Sequence, residues 1–124
     1  MKENLNDIGL FFAHYGEERE AKFTDEEKQM FNILCDMFKA KGYDPTQLEL
    51  THKSDSYASV VIGDYDVARI KYTERAKWIT IPYAEPKAEK HHISVPDDIR
   101  QFDGLVDRNI AFIEKYAEIK KEAQ

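Results

Sequence analysis

Residues 57–73 read YASVVIGDYDVARIKYT, and the fold is decided in this stretch. Ala58, Val60 and Ile62 alternate with Tyr57, Ser59 and Val61; further on, Ala68, Ile70 and Tyr72 alternate with Val67, Arg69 and Lys71. A period of two sends successive side chains to opposite faces of a strand. Gly63-Asp64 sits between the two runs as a tight-turn signal, so the segment reads as an antiparallel hairpin with its third-strand half over 66–73.

The same period extends in both directions. Upstream, from Gln47, Leu48 and Leu50 alternate with Glu49 and Thr51, giving a strand joined to the hairpin around residues 54–56. Downstream, Thr73-Glu74-Arg75 turns into a strand over 77–82, with Ile79 and Ile81 inward and Trp78 and Thr80 on the other face. A polar loop over 83–90, containing Pro86, precedes a candidate fifth, edge strand over 90–95. Such short connections permit only antiparallel neighbours, and a meander is the economical order.

Helical periodicity flanks the sheet. Thr24 followed by Glu27 is a capping box, Asp25 and Glu26 suit a helix N-terminus, and Gly42 supplies a stop, so a helix is expected over 25–41. Its apolar face is Met30, Phe31, Leu34, Met37 and Phe38, widened by Ile33 and Cys35. Pro96, Asp97 and Asp98 open a second helical region in which Ile99, Phe102, Val106, Ile110, Ile113 and Tyr116 repeat at three or four residues, with Gly104 a candidate break. The expectation is one α+β domain over 23–124, ordered α-ββββ(β)-α, with a four- or five-stranded antiparallel meander and both helices on one face. Residues 1–22 form an acidic N-terminal segment whose Leu5, Ile8, Phe12 and Tyr15 have helical spacing, weakened by Gly9 and Gly16.

Composition bounds the function. Hydrophobic residues are 42% of the chain and charged residues 34%, a globular balance. The single cysteine, Cys35, excludes an internal disulfide and suits a reducing compartment, so cytoplasm is expected. There is no secretory leader pattern and no run of about 20 apolar residues, so no membrane role is expected. The net charge of −6 opposes a general affinity for nucleic acid. Residues 1–27 hold eight acidic and three basic side chains, net −5, which leaves the remainder near −1.

If the helices cover Leu48, Leu50, Ala58, Val60, Ile62, Ala68, Ile70, Ile79 and Ile81, the opposite face displays Tyr57, Ser59, Val61, Val67, Arg69, Lys71, Trp78 and Thr80. Between Arg69 and Lys77 four basic residues face one acid, Glu74. Aromatic rings beside cations anchor protein partners or stack bases and neutralise phosphate. The binding residues expected are therefore Tyr57, Arg69, Lys71, Trp78 and Thr80, taking a protein partner or a second copy of the chain, with nucleic acid as the alternative. The ordinary explanation stands beside these: the N-terminal segment or the 83–90 loop covers Trp78 and Tyr57, or they pair across strands.

Catalytic chemistry finds little support. Asp64 and Asp66 ahead of Lys71 invite a metal-dependent nuclease, but the carboxylate needed two residues before the lysine is replaced by Arg69. His91 and His92, adjacent on a strand, point to opposite faces and do not share an ion. Cys35 lies on the apolar stripe of its helix and is expected to be core. Asp97, Asp98, Asp103 and Asp107 suit a helix start and a solvated face better than a cation patch. No phosphate-binding glycine loop, nucleophile elbow or dinucleotide fingerprint is present. A non-catalytic binding or regulatory domain needing no metal or cofactor is expected; an enzyme without a recognisable motif, built around His52, Asp55 or Asp66, is the lesser alternative.

Overall fold

The computed structural model describes residues 23–54 and 57–122. The expected N-terminal helix and the turn at Asp55-Ser56 lie outside them. Five strands form one antiparallel sheet in the order β1-β2-β3-β4-β5: β1 Glu49–Ser54, β2 Tyr57–Ile62, β3 Tyr65–Tyr72, β4 Lys77–Thr80 and β5 His91–His92. Helix α1 (Asp25–Ala40) precedes the sheet; a 3-10 helix (Pro96–Phe102) and helix α2 (Asp103–Glu114) follow it. The α+β meander expected from the sequence is the observed architecture, with β5 cut to two residues and the last region split before Gly104.

Local chemistry accounts for each boundary. The Thr24 hydroxyl accepts from Glu27 N and the Glu27 carboxylate accepts from Thr24 N, so the capping box forms. At the other end Gly42 has φ +91°, its N–H reaches Lys39 O, Tyr43 N–H reaches Phe38 O, and the Tyr43 ring packs 5.0 Å from that of Phe38. These are the two bonds and the hydrophobic contact of a Schellman stop. Gly63, at φ +57°, is the sole residue of positive φ in the two-residue loop between β2 and β3, the requirement of a type II′ hairpin turn. The 3-10 segment opens without a side chain at its cap residue, Val95; instead Asp98 accepts from the amides of Ser94 and Val95.

The core lies between one sheet face and the helices. Met30, Phe31, Leu34 and Phe38 from α1 meet Leu50, Val60, Ala68, Ile70 and Ile79 from the sheet and Ile99, Val106, Ile110 and Ile113 from the C-terminal region. Cys35 is buried among them, as its position on the stripe implies. Two long-range ties close the ends. Lys41 Nζ lies 2.6 Å from Asp103 and 2.7 Å from Asp107, joining the end of α1 to the start of α2. Burial pulls the Lys41 pKa down, but the two carboxylates outweigh it and raise it overall. Beyond α2 the chain turns back: Lys120 O accepts from Asp44 N and Gln47 Nε2, Gln47 Oε1 accepts from Lys120 N, and Glu122 N–H donates to Gly42 O.

One placement corrects the sequence reading. Val67, expected on the face away from the helices, is 1% exposed and belongs to the core. The cause is a β-bulge: Val60 pairs with Ala68, but Val61 pairs with Asp66, so Val67 is the extra residue on β3. A bulge shifts the inside-outside alternation by one. Val67 therefore joins Ala68 on the core side, and Asp66 shares the other face with Arg69.

Candidate functional site

The bulge fixes the electrostatics of the second sheet face. The Ser59 hydroxyl donates to Asp66 Oδ1 at 2.6 Å, Arg69 Nε and Nη2 both donate to Asp66 Oδ2 at 3.1 and 3.0 Å, and Lys53 Nζ lies 3.8 Å from Oδ1. Ser59 and Asp66 are buried beneath this arrangement. A buried carboxylate is tolerable when cations and donors occupy its oxygens. Asp66 is in turn held from the helix side: Asn109 of α2, fully buried, donates through Nδ2 to the carbonyls of Asp66 (2.9 Å) and Val67 (2.8 Å) and accepts Tyr83 N–H at 2.7 Å. The Asp66 amide donates to the Tyr83 hydroxyl.

Beside this pair lies a groove of about 380 Å³ bounded by Tyr57, Arg69, Lys71, Ala76, Trp78, Thr80, Ala88 and Lys90. All five expected binding residues line it. Cross-strand register explains why: Lys71 pairs with Trp78 and Arg69 with Thr80, so their side chains share one face. The loop after β4 contributes Ala88 and Lys90 as a wall. Lys90 Nζ lies 4.9 Å above the Trp78 ring, Arg69 lies 5.9 Å from the Tyr57 ring, and the two rings are 6.1 Å apart and tilted. Trp78 and Thr80 are buried, while Tyr57, Arg69 and Lys71 are half-buried. The lining contains three cations and no acid, on a chain whose net charge is −6.

The other candidates disperse. His52 stacks on Phe23 at 4.7 Å, at the edge of the sheet, and neither it nor Asp66 lines the groove; Asp55 lies outside the described residues. His91 pairs with Glu85 at 2.8 Å and packs on Phe102, whereas His92 is exposed. Asp97 pairs with Arg100, Asp98 caps the 3-10 helix, and Asp103 and Asp107 hold Lys41, so each of these carboxylates has a structural task. Among the described residues, no three His, Cys, Asp or Glu side chains are grouped to hold a metal, and no helix is long and apolar enough to cross a membrane.

Two residues of the site escaped the sequence: Asn109, which organises the face, and Lys90, which caps the indole. Asp66 was singled out there for metal or catalytic chemistry and instead holds Arg69. Asn109 carried a usable signal: it falls three residues after Val106 and four before Ile113, in the middle of an apolar stripe where a polar side chain needs partners. Comparison of the chain with protein-family models, curated proteins and solved structures finds no match.

Proposed function

We propose that this chain is a non-catalytic binding domain that takes an acidic polypeptide segment of a protein partner in the groove on its second sheet face. The observation that carries the reading is the lining itself: Arg69, Lys71 and Lys90 around Tyr57 and Trp78, without a carboxylate among them. An extended segment bearing Glu or Asp brings carboxylates to a lining of net positive charge, and an apolar or aromatic side chain beside the acid packs on the half-buried Tyr57 ring. The burial of Trp78 favours this over a flat apolar contact with a second copy, since little of its indole is left to contribute area. It also disfavours base stacking, because Lys90 covers a ring face that a base would need.

Trp78 is the only tryptophan, so its fluorescence reports on the groove directly. Titration with a short synthetic peptide of glutamates carrying one tyrosine is expected to shift Trp78 emission saturably, with an affinity that falls as salt rises. Lys90→Glu should weaken it at least about tenfold, near 1.4 kcal/mol. An equal response to the glutamine version of the peptide would defeat the proposal. A stronger response to a single-stranded oligonucleotide would replace the partner with nucleic acid.

A further inference from the structure

By turning Asp66 onto the groove face, the β3 bulge fixes how Arg69 is presented there. A guanidinium carries five N–H donors around a plane, one pair along its Nε–Nη2 side and another across its Nη1–Nη2 end. Asp66 Oδ2 takes the first pair, from Nε at 3.1 Å and Nη2 at 3.0 Å. Asp66 is itself buried and accepts the Ser59 hydroxyl at 2.6 Å, so a carboxylate with little freedom sets the plane of the guanidinium. Among the described residues no acceptor meets the Nη1–Nη2 end. The Arg69 side chain is 32% exposed and lines the groove, 5.9 Å from the Tyr57 ring. Its charge is not cancelled, because Lys53, 3.8 Å from Oδ1, shares the same carboxylate and leaves two cations on one anion.

We propose that the open Nη1–Nη2 end of Arg69 grips both oxygens of one glutamate or aspartate side chain of the partner segment and is the specificity-determining contact of the groove. The inference rests on the groove reading above and names the group that the groove recognises. Carboxylate and guanidinium are both planar, so two parallel N–H···O bonds form together and fix the direction of the acid as well as holding it. The lysines do not replace this contact: an ammonium is a point charge without a fork, and Lys90 lies over the Trp78 ring at 4.9 Å. Asp66 already orients the fork, so little side-chain freedom is lost when the acid arrives. Lys71 and Lys90 then add to the field that draws an acidic segment in, and Arg69 supplies the geometry.

The test uses the full chain and the glutamate–tyrosine peptide blocked at both ends. Arg69→Lys keeps a cation for Asp66 but removes the fork, and it should lower the affinity read through Trp78 at least about tenfold. Equal affinities overturn the inference, since charge alone would then account for binding. A direct reading comes from nitrogen NMR of the guanidinium groups in the unchanged chain, with the Arg69 signals identified by their loss in Arg69→Lys. On saturation with peptide the Nη1 and Nη2 signals of Arg69 should move and separate, because two fixed bonds stop rotation at that end. A peptide that saturates the Trp78 response while those signals stay still overturns the inference and leaves the groove reading in place. No Trp78 response in the unchanged chain defeats the groove reading, and the grip on a partner's carboxylate falls with it. The glutamine version of the peptide with a free C-terminal carboxylate completes the test: if it moves the Arg69 signals as far, the fork takes a chain end and the side-chain assignment is overturned.

Discussion

Replacing Asn109 with leucine tests whether the β3 bulge is held from the helix side. The side chain is fully buried and makes three hydrogen bonds, two to the carbonyls of Asp66 and Val67 and one from the Tyr83 amide. Leucine keeps the number and branching of the side-chain heavy atoms, so no cavity is left and the main loss is that of buried polar groups without partners, about 1–3 kcal/mol each. The two carbonyls share one amide group and regain some water on relaxation, so the total expected is about 3–5 kcal/mol. At this length that is a fall in Tm of roughly 12–20 °C. Urea and thermal unfolding followed through Trp78 would measure it. The companion Asn109→Asp keeps an acceptor for Tyr83 but turns a carboxylate oxygen toward two carbonyls. Its deficit should be at least as large at neutral pH. It should shrink as pH falls toward the ordinary carboxylate range, because protonation restores one donor and the introduced carboxyl has a raised pKa in the folded state. A leucine variant within about 1 kcal/mol of the parent, or an aspartate variant whose deficit ignores pH, would refute the clasp.

Two further outcomes are expected. Glu27→Ala removes the acceptor for both Thr24 N and Tyr72 N and should cost about 2–3 kcal/mol in urea denaturation, with Glu27→Gln losing roughly half as much because one acceptor oxygen remains. Hydrogen bonds hold two carboxyls below their ordinary range: that of Asp44, by the Thr46 hydroxyl and then its amide, and that of Asp98, by the amides of Ser94 and Val95. A depressed pKa contributes stability that is present above the unfolded value and is lost as pH falls through the folded one. Asp44→Asn and Asp98→Asn should therefore flatten the loss of Tm below about pH 4, measured by melts across the acid range.

The sheet was legible because period two survives along β1, β2 and β4, and α1 because Thr24, Glu27 and Gly42 mark its ends chemically. The bulge at Val67 was not, since neither Gly nor Pro marks it; the alternation expected over 68–72 is the observed one, and only Val67 departs from it. Its visible partner is a residue 42 positions away, Asn109, whose amide donates to the Val67 carbonyl. The end of α2 was missed for a related reason. Tyr116 and Ile119 prolong the helical spacing, yet the chain leaves the helix after Glu114 and pairs with the backbone of Gly42 and Asp44 and the side-chain amide of Gln47. At the site, register predicted which residues share a face, but the burial of Trp78 depends on Lys90 and the loop around it. Trp78→Ala is therefore a poor probe of binding, because truncating a buried tryptophan costs about 3–5 kcal/mol by itself; charge reversal at Lys90 separates binding from stability, whereas at Arg69 it would strip buried Asp66 of its partner.

The return of the chain from α2 to the α1–β1 connection has a kinetic meaning. Every pairing within the sheet joins neighbours in sequence, so each hairpin closes a short loop and the meander as a whole has local topology. The Gln47–Lys120 bonds close a loop of 73 residues and the Lys41–Asp103 contact one of 62. Their entropic cost is met only once the elements between them are in place. During synthesis the strands can pair as they emerge, whereas α1 stays without its final strap until residue 122 has been made.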